Sequence, residues 1–145
     1  MMTPEILTKL IAEGETLTVE FKSDRKPLSD NDLVDTVVCL ANKHGGKLVI
    51  GVEDDGCVTG LNQKLAESSP GLLSALIASK TIPSLSVETA MIDLPEGYVA
   101  VINVPIAPQL VSTSNGRILI RGLDTRRNPQ CRPLYASEID SWYAD

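Results

Sequence analysis

The sequence predicts an α+β fold: a single compact domain, residues 1–145, with a mostly antiparallel sheet flanked by helices. Three patterns carry that expectation. Apolar residues recur at helical spacing in Ile6, Leu7, Leu10 and Ile11, and again from Leu33 to Ala41. Leu17, Val19 and Phe21 alternate with Thr18, Glu20 and Lys22, the period of a half-buried strand. Two turn sequences, Asp54-Asp55-Gly56 and Leu94-Pro95-Glu96-Gly97, join strand-like runs at hairpin spacing.

Taken in order, Thr3 reads as an N-cap with Pro4 at the first helical position, and Gly14 ends that helix. The strand carrying Glu20 and Lys22 follows. Ser29 with Asp32 resembles a capping box, Asp standing where Glu or Gln is usual. The helix it opens should stop at Asn42-Lys43-His44-Gly45-Gly46, a glycine taking the left-handed conformation. Lys47 to Val52 reads as a strongly buried strand, and Cys57 to Leu61 as its short hairpin partner. Residues 63–80 are helical, with a break at Ser68-Ser69-Pro70-Gly71. Ser86 to Ile92 and Tyr98 to Val104 are strands, and Pro105 and Pro108 mark a crossing loop. Arg117 to Arg121 is a further strand placing Arg117, Leu119 and Arg121 on one face. Residues 122–133 read as a loop, and 136–143 as a terminal helix.

A length of 145 residues suits one domain with one sizeable core. Aromatics are only 3%, so that core must be built from Val, Ile, Leu and Ala. No apolar run reaches the roughly 20 residues of a membrane span, and Met1 to Glu5 has no signal-peptide character. Cys39, Cys57 and Cys131 are odd in number and widely spaced, matching neither a zinc pattern nor a disulfide framework. They read as reduced thiols of a cytoplasmic, bacterial protein.

The net charge of −6 argues against nucleic acid when taken alone, because nucleic-acid binders usually carry a basic footprint. The charge is unevenly spread. Residues 112–135 hold five arginines (117, 121, 126, 127 and 132) against Asp124, a net of +4, leaving −10 for the remainder. A mean charge does not describe the surface a ligand meets.

Two constellations could carry chemistry. The first comprises Glu15, Glu20 and Lys22 with Glu53, Asp54 and Asp55 at the end of the buried strand. Convergent carboxylates suit Mg²⁺ or Mn²⁺, which favour oxygen ligands and keep waters for substrate phosphates. The plain alternative is a solvated Glu20–Lys22 pair, worth under about 1 kcal/mol, beside a turn built from acidic residues. The second is the arginine group Arg117, Arg121, Arg126, Arg127 and Arg132. Guanidinium forks match phosphate geometry, so a strand and loop bearing them could track a backbone. The plain alternative is pairing with the chain's own carboxylates. Gly45-Gly46 and Gly51 lack a phosphate-loop ending and read as structural. His44, the only histidine, reads as a partner of a helix C-terminus rather than a general base.

Three segments together resemble the Schlafen AlbA-like domain of bacterial regulators and of Schlafen proteins. Gly14 to Lys22 is similar to the family's opening Glu…Glu-Phe-Lys signature. Ala41 to Gly56, followed by Val58-Thr59-Gly60, is similar to its Ala-Asn…Gly-Gly…Ile-Gly-Val-acidic-Asp-x-Gly core. Gly116 to Gly122 with Thr125-Arg126-Arg127 is similar to its late arginine strand and loop. The resemblance implies a compact α/β fold and nucleic-acid binding, DNA or RNA, in a transcriptional regulator that often carries a further ATPase-like or winged-helix region. Schlafen nucleases cut RNA with three acidic residues, whose positions match Glu15, Glu20 and either Glu53 or Asp54. Such nucleases build their channel from two lobes, so this chain would need to form a homodimer.

Three functions therefore compete. One is a module gripping nucleic-acid backbone through the arginines, with no cofactor required. Another is a ribonuclease dependent on Mg or Mn. The third is a protein-interaction domain. None involves a membrane.

Overall fold

The computed structural model describes residues 1–144. Its centre is a four-stranded sheet in the order β1 (Val19–Lys22), β2 (Gly46–Ile50), β5 (Gly97–Val104), β4 (Glu88–Leu94). β1 and β2 run parallel, joined through helix α2 (Asp30–Ala41), and the other two pairings are antiparallel. A parallel pair needs a crossover connection, and α2 supplies it here.

Strand alternation divides the core in two. Leu48, Ile50, Ala100, Ile102 and Val104 face α2 and α4 (Pro70–Ser79) in one apolar cluster. Val49, Val99 and Val101 face α1 (Pro4–Glu13) in the other, with Leu7, Ile11, Val19 and Phe21. Both faces are thus covered, as near-continuous apolar strands require. The expected caps form: the Thr3 hydroxyl accepts the Ile6 N–H, the Ser29 hydroxyl accepts the Asp32 N–H, and Gly14 (φ 81°) closes α1. The helix over 63–80 divides as expected, into α3 (Gln63–Ala66) and α4.

The turn after α2 depends on two glycines. Gly45 has φ 68° and donates its N–H to the Leu40 carbonyl at 2.7 Å. Gly46 has φ 137°, and a Cβ there would collide with the Thr18 carbonyl. Glycine is what lets β2 start against the turn before β1.

Several boundaries differ from the sequence-based expectation. β1 begins at Val19 rather than Leu17, because Thr16 and Val19 pair in a tight turn that occupies the preceding residues. Cys57 to Leu61 makes one bridge, Val52 to Val58, not a hairpin strand. Two short strands, β3 (Thr81–Ile82) and β6 (Ser112–Thr113), pair over a long separation. Residues 122–133 are not a loop. β7 (Leu119–Leu123) and β8 (Pro129–Pro133) form an antiparallel hairpin. Its second strand, Pro-Gln-Cys-Arg-Pro, has neither alternation nor β-branched residues, so only pairing makes it a strand. A 3-10 turn, Ala136–Glu138, leads into α5 (Ile139–Ala144).

The cysteines also depart from expectation. Cys39 on α2 and Cys131 on β8 are joined in a disulfide across 92 residues of sequence, while Cys57 is free and exposed. Such a separation leaves no spacing signal, so a fold-dependent pair looks like isolated thiols in the sequence. The bond ties the β7–β8 hairpin to α2. No helix among the described residues is long and apolar enough to cross a membrane.

Candidate nucleic-acid interface

The five arginines separate into three environments. Arg121 is inside the protein. Its side chain is 2% exposed, and it donates to Glu20 Oε2 at 2.7 Å, the Thr16 carbonyl at 2.7 Å and the Val19 carbonyl at 3.0 Å. Its Nε is buried without an acceptor. The expected common face of Arg117, Leu119 and Arg121 is therefore mostly an interior one, because the hairpin packs on α2 and β1 rather than standing in solvent. Leu119 is buried as well.

Arg117 and Arg132 are at the surface but paired. Arg117 Nη1 lies 2.8 Å from Asp35 Oδ2 on α2. Arg132 holds Glu138 with both terminal nitrogens, each at 2.8 Å, and stacks 5.9 Å from the Tyr135 ring centroid. That fork keeps the Glu138 carboxyl down at about 2, the Tyr135 N–H adding to the effect.

Arg126 and Arg127 occupy the third environment. Both are exposed in the β7–β8 turn, and among the described residues neither forms an ion pair. The turn itself is ordered. Asp124 Oδ1 accepts the backbone N–H of Arg126 at 2.8 Å and of Asn128 at 2.9 Å, and Arg127 takes φ 63°. A short aspartate side chain thus fixes the loop that presents two unneutralised guanidinium groups.

The acidic constellation is only partly assembled. Glu15 lies beside Glu20 and within electrostatic reach of Asp54. Burial raises the Glu15 carboxyl above its ordinary value, the Phe21 N–H donated to Oε1 at 2.9 Å opposes this, and Glu20 and Asp54 push it further up. Glu20 is committed to Arg121. Glu53 points elsewhere, accepting the Thr59 hydroxyl at 2.6 Å, and that bond, with Ser23, lowers its carboxyl. Lys22 reaches Asp32 at 3.1 Å. Among the described residues no three His, Cys, Asp or Glu side chains gather closely enough to hold a metal ion. As folded, these carboxylates do not fit a three-acid metal site, since protein donors hold Glu15, Glu20 and Glu53.

Residues that sequence reasoning passed over complete the region. Asp32, Asp35 and Thr36 of α2 join Glu20, Lys22, Arg117, Arg121 and Cys131 around a cavity of about 240 Å³. Asp32 and Asp35 are three apart, so both fall on one helix face, but nothing in the sequence says what that face meets. Asn42 is fully buried. Its amide donates to the carbonyls of Val111 and Leu119, and its Oδ1 accepts the Val111 N–H, holding β7 to the end of α2. Asp24, also buried, accepts the backbone N–H of Leu28 and Asn62.

Residues 15–132 match the family model described as Schlafen, AlbA_2. The fold is similar to that of the DIP2311 protein from Corynebacterium diphtheriae, with TM-score 0.69 and 21% identity over 95% of this chain. The chain spans 30% of that protein's length. It is also similar to the N-terminal domain of a RecG-related protein from Nitrosomonas europaea, with TM-score 0.56 and 19% identity, covering 94% of this chain and 91% of that one. No curated protein matches the sequence.

Proposed function

The chain belongs to the Schlafen, AlbA_2 family, and on that premise we propose that it is a nucleic-acid-binding domain of a bacterial transcriptional regulator. It grips phosphate backbone through the β7–β8 turn. The observation that carries this reading is the pair Arg126 and Arg127, exposed and, among the described residues, without carboxylate partners, on a turn ordered by Asp124. Backbone contact needs free cations on an ordered scaffold, not a basic protein as a whole. Arg117, exposed, and Arg132, half-buried, are both paired and are secondary contacts whose carboxylates would exchange for phosphate. Arg121 acts through the fold by holding the hairpin against β1.

A contact of this kind supplies affinity without base readout, so association should be salt-sensitive and tolerant of sequence. The test is fluorescence anisotropy with duplex DNA and a structured RNA at two salt concentrations, with and without Mn²⁺, followed by a denaturing gel. Arg126→Ala with Arg127→Ala should abolish most binding and flatten its salt dependence, leaving the strands intact. Binding that ignores both salt and the two substitutions refutes the reading. Metal-dependent fragments, lost in Glu20→Gln, would transfer the function to the acidic residues.

A further inference from the structure

We propose that the Cys39–Cys131 disulfide is a modification site for a small zwitterionic thiol, which enters the charged cavity beside Cys131 and bonds to its sulfur. This goes beyond the nucleic-acid reading and does not depend on it.

The two cysteines are unequal in access. Cys39 is 0% exposed within α2, whereas Cys131 is an exposed residue on β8 and lines the cavity of about 240 Å³. Its Sγ lies 3.8 Å from the Asp35 carbonyl oxygen, one residue position shared with the Arg117 ion pair. Exchange proceeds by attack of a thiolate on one sulfur of the disulfide, and the reachable sulfur decides which. The incoming thiolate sulfur bonds to Cys131 Sγ and the Cys39–Cys131 bond breaks. Cys39 leaves with the bonding electron pair and takes a proton from water. One disulfide is exchanged for another, so no external oxidant or reductant is consumed.

The cavity's charge selects the class of thiol. Lys22, Arg117 and Arg121 face Asp32, Asp35 and Glu20 in three ion pairs, so the walls are neutral in sum and alternate in sign. The Arg121–Glu20 pair is interior, but Lys22–Asp32 and Arg117–Asp35 are partly in solvent and screened, so they open readily. A ligand carrying both carboxylate and ammonium can replace both partners of an opened pair. An anionic thiol would strand an aspartate, and a cationic one would strand Arg117 or Lys22.

The experiment uses the full chain in its oxidised form with Cys57→Ser, which removes the free exposed cysteine. Three probes are compared at equal thiolate concentration: free L-cysteine (one carboxylate and one ammonium), mercaptoacetate and cysteamine. Intact mass and peptide mapping follow the adduct. The expected result is an L-cysteine adduct on Cys131, Cys39 appearing as a free thiol, and a rate several-fold above either other probe. The net charge of −6 favours cysteamine at long range, so preference for L-cysteine reports the cavity. Arg117→Ala with Asp35→Asn should erase that preference. An adduct on Cys39, equal rates for all probes, inertness to all three, or full preference retained in a folded double variant would overturn the proposal. The probe series on the unsubstituted cavity decides the matter even where the double variant fails to fold.

Discussion

Arg121 Nη1 and Glu20 Oε2 lie 2.7 Å apart, joining strands 101 residues distant in sequence across an interior where the arginine is 2% and the glutamate 15% exposed. The pair connects the opening acidic signature to the late arginine strand, the two ends of the family match. Removing one partner of a buried pair strands the other charge, which costs about 3–5 kcal/mol. Arg121→Ala should therefore lose stability on that scale in chemical denaturation, while Arg117→Ala, an exposed pair, should lose under about 1 kcal/mol. Equal losses for the two variants would mean that Arg121 is not the interior staple described above.

Asn42 should prove structural. Its side chain satisfies three buried backbone groups of Val111 and Leu119. A buried polar group left without a partner costs about 1–3 kcal/mol, so Asn42→Ala should destabilise by about 2–4 kcal/mol. The amide protons of Val111 and its neighbours should lose protection in hydrogen exchange. Unchanged protection there would argue that water replaces the amide.

Reduction of the Cys39–Cys131 bond should weaken the whole fold. Its 92-residue separation closes a long loop in the unfolded chain. Bonds of this class contribute about 2–5 kcal/mol. Melting curves with and without a strong dithiol, on Cys57→Ser protein, should differ accordingly, and Cys131→Ser should match the reduced form. Identical curves would show that the bond constrains nothing in the unfolded state.

Glu138 supplies an acid-range signal. Arg132 holds its carboxyl near 2 against an ordinary 4.5. A folded-state value below the unfolded one contributes stability that is fully present above about 4.5 and lost as pH falls through about 2. Trp142, the only tryptophan, lies on α5 with its Nε1–H donated to the Asn42 carbonyl at 2.7 Å, so its fluorescence reports detachment of this end. The change should fall inside that window and be absent in Glu138→Gln, which has no proton to gain.

Glu15 behaves in the opposite sense. Burial first, then Glu20 and Asp54, raise its carboxyl, so the folded state binds that proton more tightly than the unfolded chain. The resulting penalty is complete above the raised value and vanishes below about 4.5, where both states are protonated. Glu15→Gln should be more stable than the parent at pH 7, with the gain fading on acidification. A variant less stable at pH 7 would show that the charged form is the one the fold prefers.

Much of the architecture was legible because it is written in local patterns. The Thr3 and Ser29 caps, the apolar stripe of α2, the glycine stop at 45–46 and the break before Pro70 all depend on residues within a few positions of one another. β8 was not legible, since Pro129 to Pro133 carries no strand pattern and gains its form from pairing with β7. The candidate site divides the same way. Arg126 and Arg127 were readable as a basic loop, whereas the role of Asp124 in ordering their turn was not.

By itself the sequence determined the class of fold, a mostly antiparallel sheet flanked by helices, the family likeness and which residue types were on hand for binding. Tertiary structure alone decided which arginine is buried, which are neutralised and which have no carboxylate partner among the described residues, that Glu53 bonds Thr59 rather than joining Glu15 and Glu20, and that Cys39 meets Cys131. The reason is that charge pairing and disulfide formation act over a few ångströms of space, whereas the partners here stand about a hundred residues apart in the chain, where no local pattern records them.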